Sequence, residues 1–214
     1  MIIRKYGISL ERLTEDDIEL VRQHRNSELI RKRMFYQKQI TEEEQKKWFA
    51  TINNDFNYYF LILHRGKKIG LTHCTIKSYE EGISSGGIFI WEPTAMQSHL
   101  PIIASVCATD LIFFLVKMKK SMAEVRADNK IALEYNQKFG YKIVEELSDD
   151  EKFVLELTPE NYLSTAKTIR EMVKKMSNDF SELSWADIEF PKKKPVGLYE
   201  NLPDYLAEHV SFES

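Results

Sequence analysis

The sequence predicts an α/β chain of the α+β kind, a largely antiparallel sheet flanked by helices and followed by a helical extension. Three observations carry this. Strand-like segments succeed one another from Tyr58 to Trp91 with no helical pattern between them. A helix that is apolar on most of its faces opens at Pro101 and runs through Leu115, as a helix packed along a sheet should. A strand, a capped helix and two further strands then fill Ser121 to Leu157.

In chain order, Ile8 to Leu13 alternates as a short strand. Thr14 caps a helix whose first turn is acidic (Glu15, Asp16, Asp17) and which runs to about His24. Thr41 and Glu44 form a capping box, and Trp48, Phe49 and Ile52 give the next helix an apolar stripe that stops at Asn53 and Asn54. Tyr58 to Leu63 and Ile69 to Ile76 flank the polar turn His64 to Lys68 and form a hairpin. Ile88 to Trp91 is another strand, ended by Pro93. Ser121 to Arg126 is a strand, Asp128 or Asn129 caps the helix Lys130 to Lys138, and Gly140 ends that helix in a left-handed conformation. Tyr141 to Val144 and Phe153 to Leu157 are the last strands. Thr158 and Pro159 open a helix with Tyr162, Leu163, Ala166, Ile169, Met172, Val173 and Met176 at helical spacing, and a short helix spans Asp204 to His209.

Hydrophobic residues at 43% supply a real core, and a formal charge of −3 argues against a protein that coats nucleic acid. Cys74 and Cys107 sit in apolar stretches without CxxC or histidine spacing, so neither a disulfide nor a metal site is expected. Leu100 to Val116, interrupted by Asp110, falls short of the roughly 20 residues a bilayer span needs. No membrane partner is expected, and the N-terminus lacks a signal-peptide core, so a cytoplasmic protein is expected.

Several local motifs resemble the GNAT superfamily of acyl-CoA-dependent N-acetyltransferases over about residues 8 to 157. They are His24-Arg25-Asn26, Trp48-Phe49, Tyr59-Phe60-Leu61-Ile62 leading to Ile69-Gly70, and Ala127 to Tyr135 leading to Phe139-Gly140-Tyr141. The Arg-Asn and Trp-Phe pieces most resemble bacterial acetyltransferases of ribosomal proteins and of nucleotide-linked amino sugars. The resemblance implies a mixed, mostly antiparallel twisted sheet and acetyl-CoA as co-substrate, with no metal. It also implies that the strand Ile88 to Trp91 splays from Ser121 to Arg126 to admit the pantetheine arm, Ile90 and Trp91 offering backbone groups.

Carried over residue by residue, Tyr135 is the general acid for the departing thiolate; a phenol, with a reference pKa of about 10, is protonated at neutral pH. A tyrosine that only packs on the sheet would look the same. Asn129 caps the helix beside the cofactor, and Glu92, just past the strand, is the candidate base, with a solvated strand-end glutamate as its ordinary reading. His73 and Asp110 are weaker candidates for the same base; the ordinary reading of His73, a single histidine beside Cys74 on a strand, is structural, and that of Asp110 is a hydrogen-bonding group inside the helix packing. Gln97, Ser98, His99 and Ile102 fall on the phosphate loop. There the family pattern is Gln or Arg, two free positions, Gly, a free position, and Gly or Ala; this chain has Gln97-Ser98-His99-Leu100-Pro101-Ile102. Leu100 and Ile102 bring Cβ atoms where glycines let the backbone approach phosphates, and Pro101 has no N–H to offer. The serine and histidine side chains stand in for the missing contacts, or the scaffold has lost the cofactor and works as a binding or regulatory module, or another acyl donor is used.

The expected acceptor is a small-molecule or peptide amine. The connection around Arg25 and Asn26, with Arg31, Arg33, Phe35, Tyr36 and Trp48, combines cations and rings that suit a nucleotide-linked amino sugar; a protein N-terminus is the second choice and a solvated helix pair the plain alternative. The chain divides into a unit of residues 1–157 and an extension of residues 158–214. The extension holds 7 Lys plus Arg against 10 Asp plus Glu and so carries the whole net charge. Its apolar stripe must be covered by the core or by a second chain, which makes a homodimer one solution.

Overall fold

The computed structural model describes residues 1–212. Strands β1 (Ile2–Lys5) and β2 (Ile8–Arg12) form a hairpin closed by Tyr6 and Gly7, both at positive φ as in a type I′ turn. Helices α1 (Ile18–Asn26), α2 (Glu28–Arg31) and α3 (Glu42–Ile52) follow, and the Thr41–Glu44 capping box is formed in both directions. Strands β3 (Asn57–His64), β4 (Lys67–Ser78) and β5 (Ile83–Ile90) make an antiparallel meander. Helix α4 (Pro93–Met96) leads to α5 (Leu100–Asp110), which continues as a π-helical turn over Leu111–Leu115. Then come β6 (Lys120–Arg126), α6 (Lys130–Lys138), β7 (Lys142–Ile143), β8 (Lys152–Leu157), α7 (Pro159–Thr165), α8 (Lys167–Ser177), β9 (Ile188–Glu189) and α9 (Asp204–Ala207).

Among the described residues these strands form one nine-stranded sheet in the order β7-β8-β6-β5-β4-β3-β2-β1-β9, and the only parallel neighbours are β5 and β6. That pair is short. Ile83, Ser84 and Ser85 face Lys120, Ser121 and Met122, after which the strands part, while β6 stays paired to β8 as far as Arg126. The sheet is therefore forked, and Gly86 to Ile90 present a free backbone edge to the gap.

Alternation along the strands sorts side chains to two faces. Ile3, Phe60, Ile62 and Ile69 pack beneath α5 with Ile103, Val106 and Leu111; Leu61, Leu71 and Trp91 pack against α1 and α3 through Ile18, Val21 and Phe49. Each such fully buried side chain contributes about 1.5–3 kcal/mol.

The residues after 158 are continuous with this body. Tyr162, Ala166, Val173, Leu183, Ile188 and Leu206 belong to the core beneath α5, and β9 adds a strand to β1. Two buried carboxylates fasten the segment. Asp110 on α5 accepts from the Tyr162 hydroxyl at 2.8 Å and pairs with Arg170, while Asp55 accepts the backbone N–H groups of Tyr199, Glu200 and Asn201. Gly140 is at φ +97°, and a Cβ there would lie 2.6 Å from the Asn161 carbonyl oxygen, so glycine both ends α6 and lets α7 dock.

Four elements differ from the sequence pattern. The segment 158–177 is two helices broken at Ala166, because Tyr162, Ala166 and Val173 turn inward while Leu163, Met172 and Met176 stay exposed. β5 starts at Ile83 rather than Ile88, since pairing with β4 and the buried Ser84, whose hydroxyl reaches the Lys120 carbonyl at 3.2 Å, overrides the weak strand propensity of Ser-Ser-Gly-Gly. β1 and β9 are additional strands, too short to read from periodicity.

Candidate functional site

The fork collects the candidate residues on its two sides. On the α5 side, Asn129 accepts the Ala132 N–H and caps α6, and that helix directs Tyr135 at the first turn of α5. The Tyr135 hydroxyl donates to the Pro101 carbonyl at 3.0 Å and shares a 2.8 Å hydrogen bond with the Ser105 hydroxyl. Burial raises its pKa well above the usual phenol value, so it is a protonated donor at any physiological pH.

The amino end of α5 is built without glycine. Ser98 Oγ accepts the Leu100 N–H at 3.1 Å and itself donates to the Ala95 carbonyl, so this side chain is spent on capping its own turn. Pro101 supplies no N–H. Gln97 and His99 are exposed, Ile102 is half-buried, and Leu100 points into the core. What the helix end retains is the positive pole of an eleven-residue helix.

On the α1/α3 side, rings line the sheet next to the fork. Trp48 of α3 meets Tyr59 edge-on at 5.2 Å, Tyr59 stacks on His73 at 4.8 Å, and His24 of α1 stacks on Trp91 at 4.6 Å. The Trp91 indole donates to the Lys68 carbonyl, which fixes its plane at the end of β5 next to the buried Ile90. Glu92 follows, its carboxylate 2.5 Å from Lys67 Nζ and accepting from Thr94 Oγ1. These contacts, the lysine foremost, hold its pKa below the ordinary carboxylate range and keep it ionised.

The loop after α2 is pinned by side chains donating to its backbone. Asn26 makes two 2.8 Å bonds with Ile40, one to its N–H and one to its carbonyl; Arg25 donates to the Tyr36 carbonyl and Arg31 to that of Gln37. From the far arm of the fork Arg126 donates to the Met34 carbonyl at 3.3 Å, and Arg33 reaches Met96 Sδ beyond the near arm. The loop therefore bridges the mouth of the fork. Phe35 and Tyr36 stand exposed on it, and Arg25 Nη1 and Arg31 Nε are buried without hydrogen-bond partners.

Ser105, Gly87 and Arg126 enter this site without having been singled out in the sequence, and Tyr59 had been named only as part of a family motif. A serine four positions beyond Pro101 carries no motif, and Arg126 becomes visible only once β6 is known to end opposite the loop. Among the described residues no group of three or more His, Cys, Asp or Glu side chains is placed to hold a metal ion, and no helix is long and apolar enough to cross a membrane.

No protein-family model and no curated protein matches the chain. Solved structures do. A spermidine N-acetyltransferase from Vibrio cholerae in complex with CoA and spermine is 17% identical with a TM-score of 0.64, over 73% of this chain and 98% of that one. An aminoglycoside acetyltransferase, AAC(6')-Ib with coenzyme A, is 14% identical at TM-score 0.62, over 74% and 98%. An apo nucleotide-linked sugar GNAT is 15% identical at TM-score 0.66, over 81% and 98%. At these identities the likeness is one of backbone, and with the forked sheet it is sufficient for that: the chain is built on the GNAT fold.

Proposed function

We propose that this protein is an acyl-CoA-dependent N-acetyltransferase that moves an acetyl group from acetyl-CoA to a primary amine on a small molecule. The observation that carries the reading is the fork, with an open strand edge at Gly86 to Ile90 and a protonated tyrosine at the amino end of α5. The pantetheine amides would pair with that edge, and the helix pole would face the pyrophosphate. The amine attacks the thioester carbonyl, a backbone N–H of β5 stabilises the oxyanion, the C–N bond forms as the C–S bond breaks, and Tyr135 protonates the leaving thiolate. Ionised Glu92 is the candidate acceptor of the amine proton, with Lys67 competing for its charge. Residues 1–157 would be the catalytic unit of a cytoplasmic enzyme and residues 158–214 an extension that braces α5 through Asp110.

For the acceptor we favour a nucleotide-linked amino sugar. Arg25, Arg31 and Arg33 offer guanidinium groups for phosphate, and Phe35, Tyr36 and Trp48 offer rings for a base; a neighbour of the same fold is a nucleotide-linked sugar GNAT. A protein N-terminus is the second choice. The glycine-free helix end, with Leu100 N–H already capped and Pro101 without one, favours a different reading, a scaffold that has lost acetyl-CoA and serves as a binding or regulatory module. Calorimetry with acetyl-CoA, followed by thiol release with UDP-linked 4-amino sugars and with N-terminal peptides, decides between them. Binding and turnover of the sugar are expected; no heat at millimolar acetyl-CoA overturns the enzyme reading.

A further inference from the structure

His73 lies on β4 directly opposite Gly87 of β5, two residues past the last β5–β6 pair and so at the vertex of the fork. Its ring leans over Gly87. A Cβ on that residue would sit 3.0 Å from His73 Nε2, so the imidazole occupies the place of the missing side chain, and Gly87 itself is exposed. Tyr59 stacks on the other face of the ring and Trp48 braces Tyr59, which fixes the plane. Nδ1 is buried and has no hydrogen-bond partner, while Nε2 is the ring nitrogen that faces Gly87. A buried polar atom without a partner costs roughly 1–3 kcal/mol, so the ring is held here by its stacking on Tyr59 and its fit over Gly87 and not by hydrogen bonds.

We infer that His73 is the acceptor-amine ligand of the site, its Nε2 lone pair receiving an N–H of the incoming amine at the vertex of the fork. The inference rests on the acetyltransferase reading above. It places the two polar groups of the reaction on opposite faces of the sheet: His73 on the α1/α3 face, where the arginine and aromatic loop admits an acceptor, and Tyr135 on the α5 face, where the leaving sulfur would emerge. Burial holds the imidazole uncharged, with its pKa lowered to about 4, so at neutral pH it accepts a hydrogen bond and does not repel a partly protonated amine. Glycine at position 87 suits this arrangement, because a Cβ there would press on the ring and shift it by a few tenths of an ångström.

The test has two arms. In full-length protein with 15N-labelled histidine, saturated with CoA, titration with propylamine at alkaline pH should shift the His73 ring nitrogens and leave those of His64 and His209 unmoved. Propylamine carries nothing but the amine, so this arm does not depend on the natural acceptor. In the second arm His73→Phe, which keeps the stack on Tyr59 but removes Nε2, should lower kcat/KM for a UDP-linked 4-amino sugar by about ten- to a hundredfold with acetyl-CoA affinity unchanged, and His73→Gln should recover part of the loss. Unmoved ring nitrogens in CoA-bound protein, or a Phe variant as active as the parent, overturn the inference while leaving the acetyltransferase reading intact. Absence of any heat with acetyl-CoA in the unmodified chain overturns both, and is seen before any variant is made.

Discussion

Asp110 and Asp55, which fasten the residues after 158 to the core, have both carboxylate oxygens engaged, whereas Arg25 and Arg31, which pin the loop after α2, each keep a buried nitrogen without a partner. The contrast extends to charge. Arg170 lies against Asp110 and Glu182, with its Nε 3.3 Å from an Asp110 oxygen though poorly angled for a hydrogen bond. Arg25, Arg31 and Arg33 donate to carbonyl groups or a thioether, and the carboxylate that feels Arg31, Glu28, is itself paired with Lys32. One region is electrostatically complete within the protein. The other holds cations whose counter-charge a ligand can supply, which is why the acceptor proposed above is anionic despite the acidic net charge.

The largest effect should come from breaking the completed side. Asp110 is fully buried, so Asp110→Ala leaves the Tyr162 hydroxyl without its acceptor and the half-buried Arg170 with Glu182 as its one remaining carboxylate. A loss of about 3–5 kcal/mol in urea unfolding is expected. A loss under about 1 kcal/mol would mean that apolar burial of Tyr162, Ala166 and Val173 alone holds α7 and α8, and the contrast would reduce to one of packing.

The second effect belongs to the open side and is a pH dependence. Burial depresses the His73 pKa from 6.5 to about 4, so the unfolded chain takes up the proton first as pH falls. The corresponding stability is complete above pH 6.5 and is lost progressively down to about pH 4, by about 3 kcal/mol. Melting temperatures of the parent chain should therefore fall more steeply between neutrality and pH 4.5 than those of His73→Phe, which has no proton to gain. Parallel curves would show that the imidazole is not held neutral.

How much of this was legible follows from where each feature gets its energy. Tyr135, Asn129 and the helix that joins them come from local spacing and capping, so the sequence pattern placed them together; the fork was expected only through the family resemblance, and it lies between β5 and β6. Asp110 read as an internal hydrogen-bonding group and sits as one. His73 read as a structural histidine because nothing in a single strand tells that a glycine fourteen positions later will face it. β1 was invisible for a related reason: Lys5 is buried by partners at Asp179 and Asp187 that only the folded chain supplies. The Arg126 bond to Met34 joins residues far apart in the chain, and arginines on a polar loop look alike until the backbone they donate to is known.

That bond gives the smallest predicted effect and the finest probe of the comparison. Arg126 also pairs with exposed Asp128, so Arg126→Ala should change global stability by no more than about 1 kcal/mol. Locally the change should be larger, because the bond to the Met34 carbonyl is what ties the loop to the far arm of the fork. Losing about 1 kcal/mol of local protection corresponds to roughly fivefold faster amide exchange, confined to residues 32–37. Ile40, still bonded to Asn26, should exchange as before. Uniform exchange across 32–40 in the variant and the parent would show that Arg25 and Arg31 hold the loop unaided. Their spare nitrogens would then be a by-product of that anchoring rather than a place kept for an anion, and the comparison between the two regions would fail at its open side.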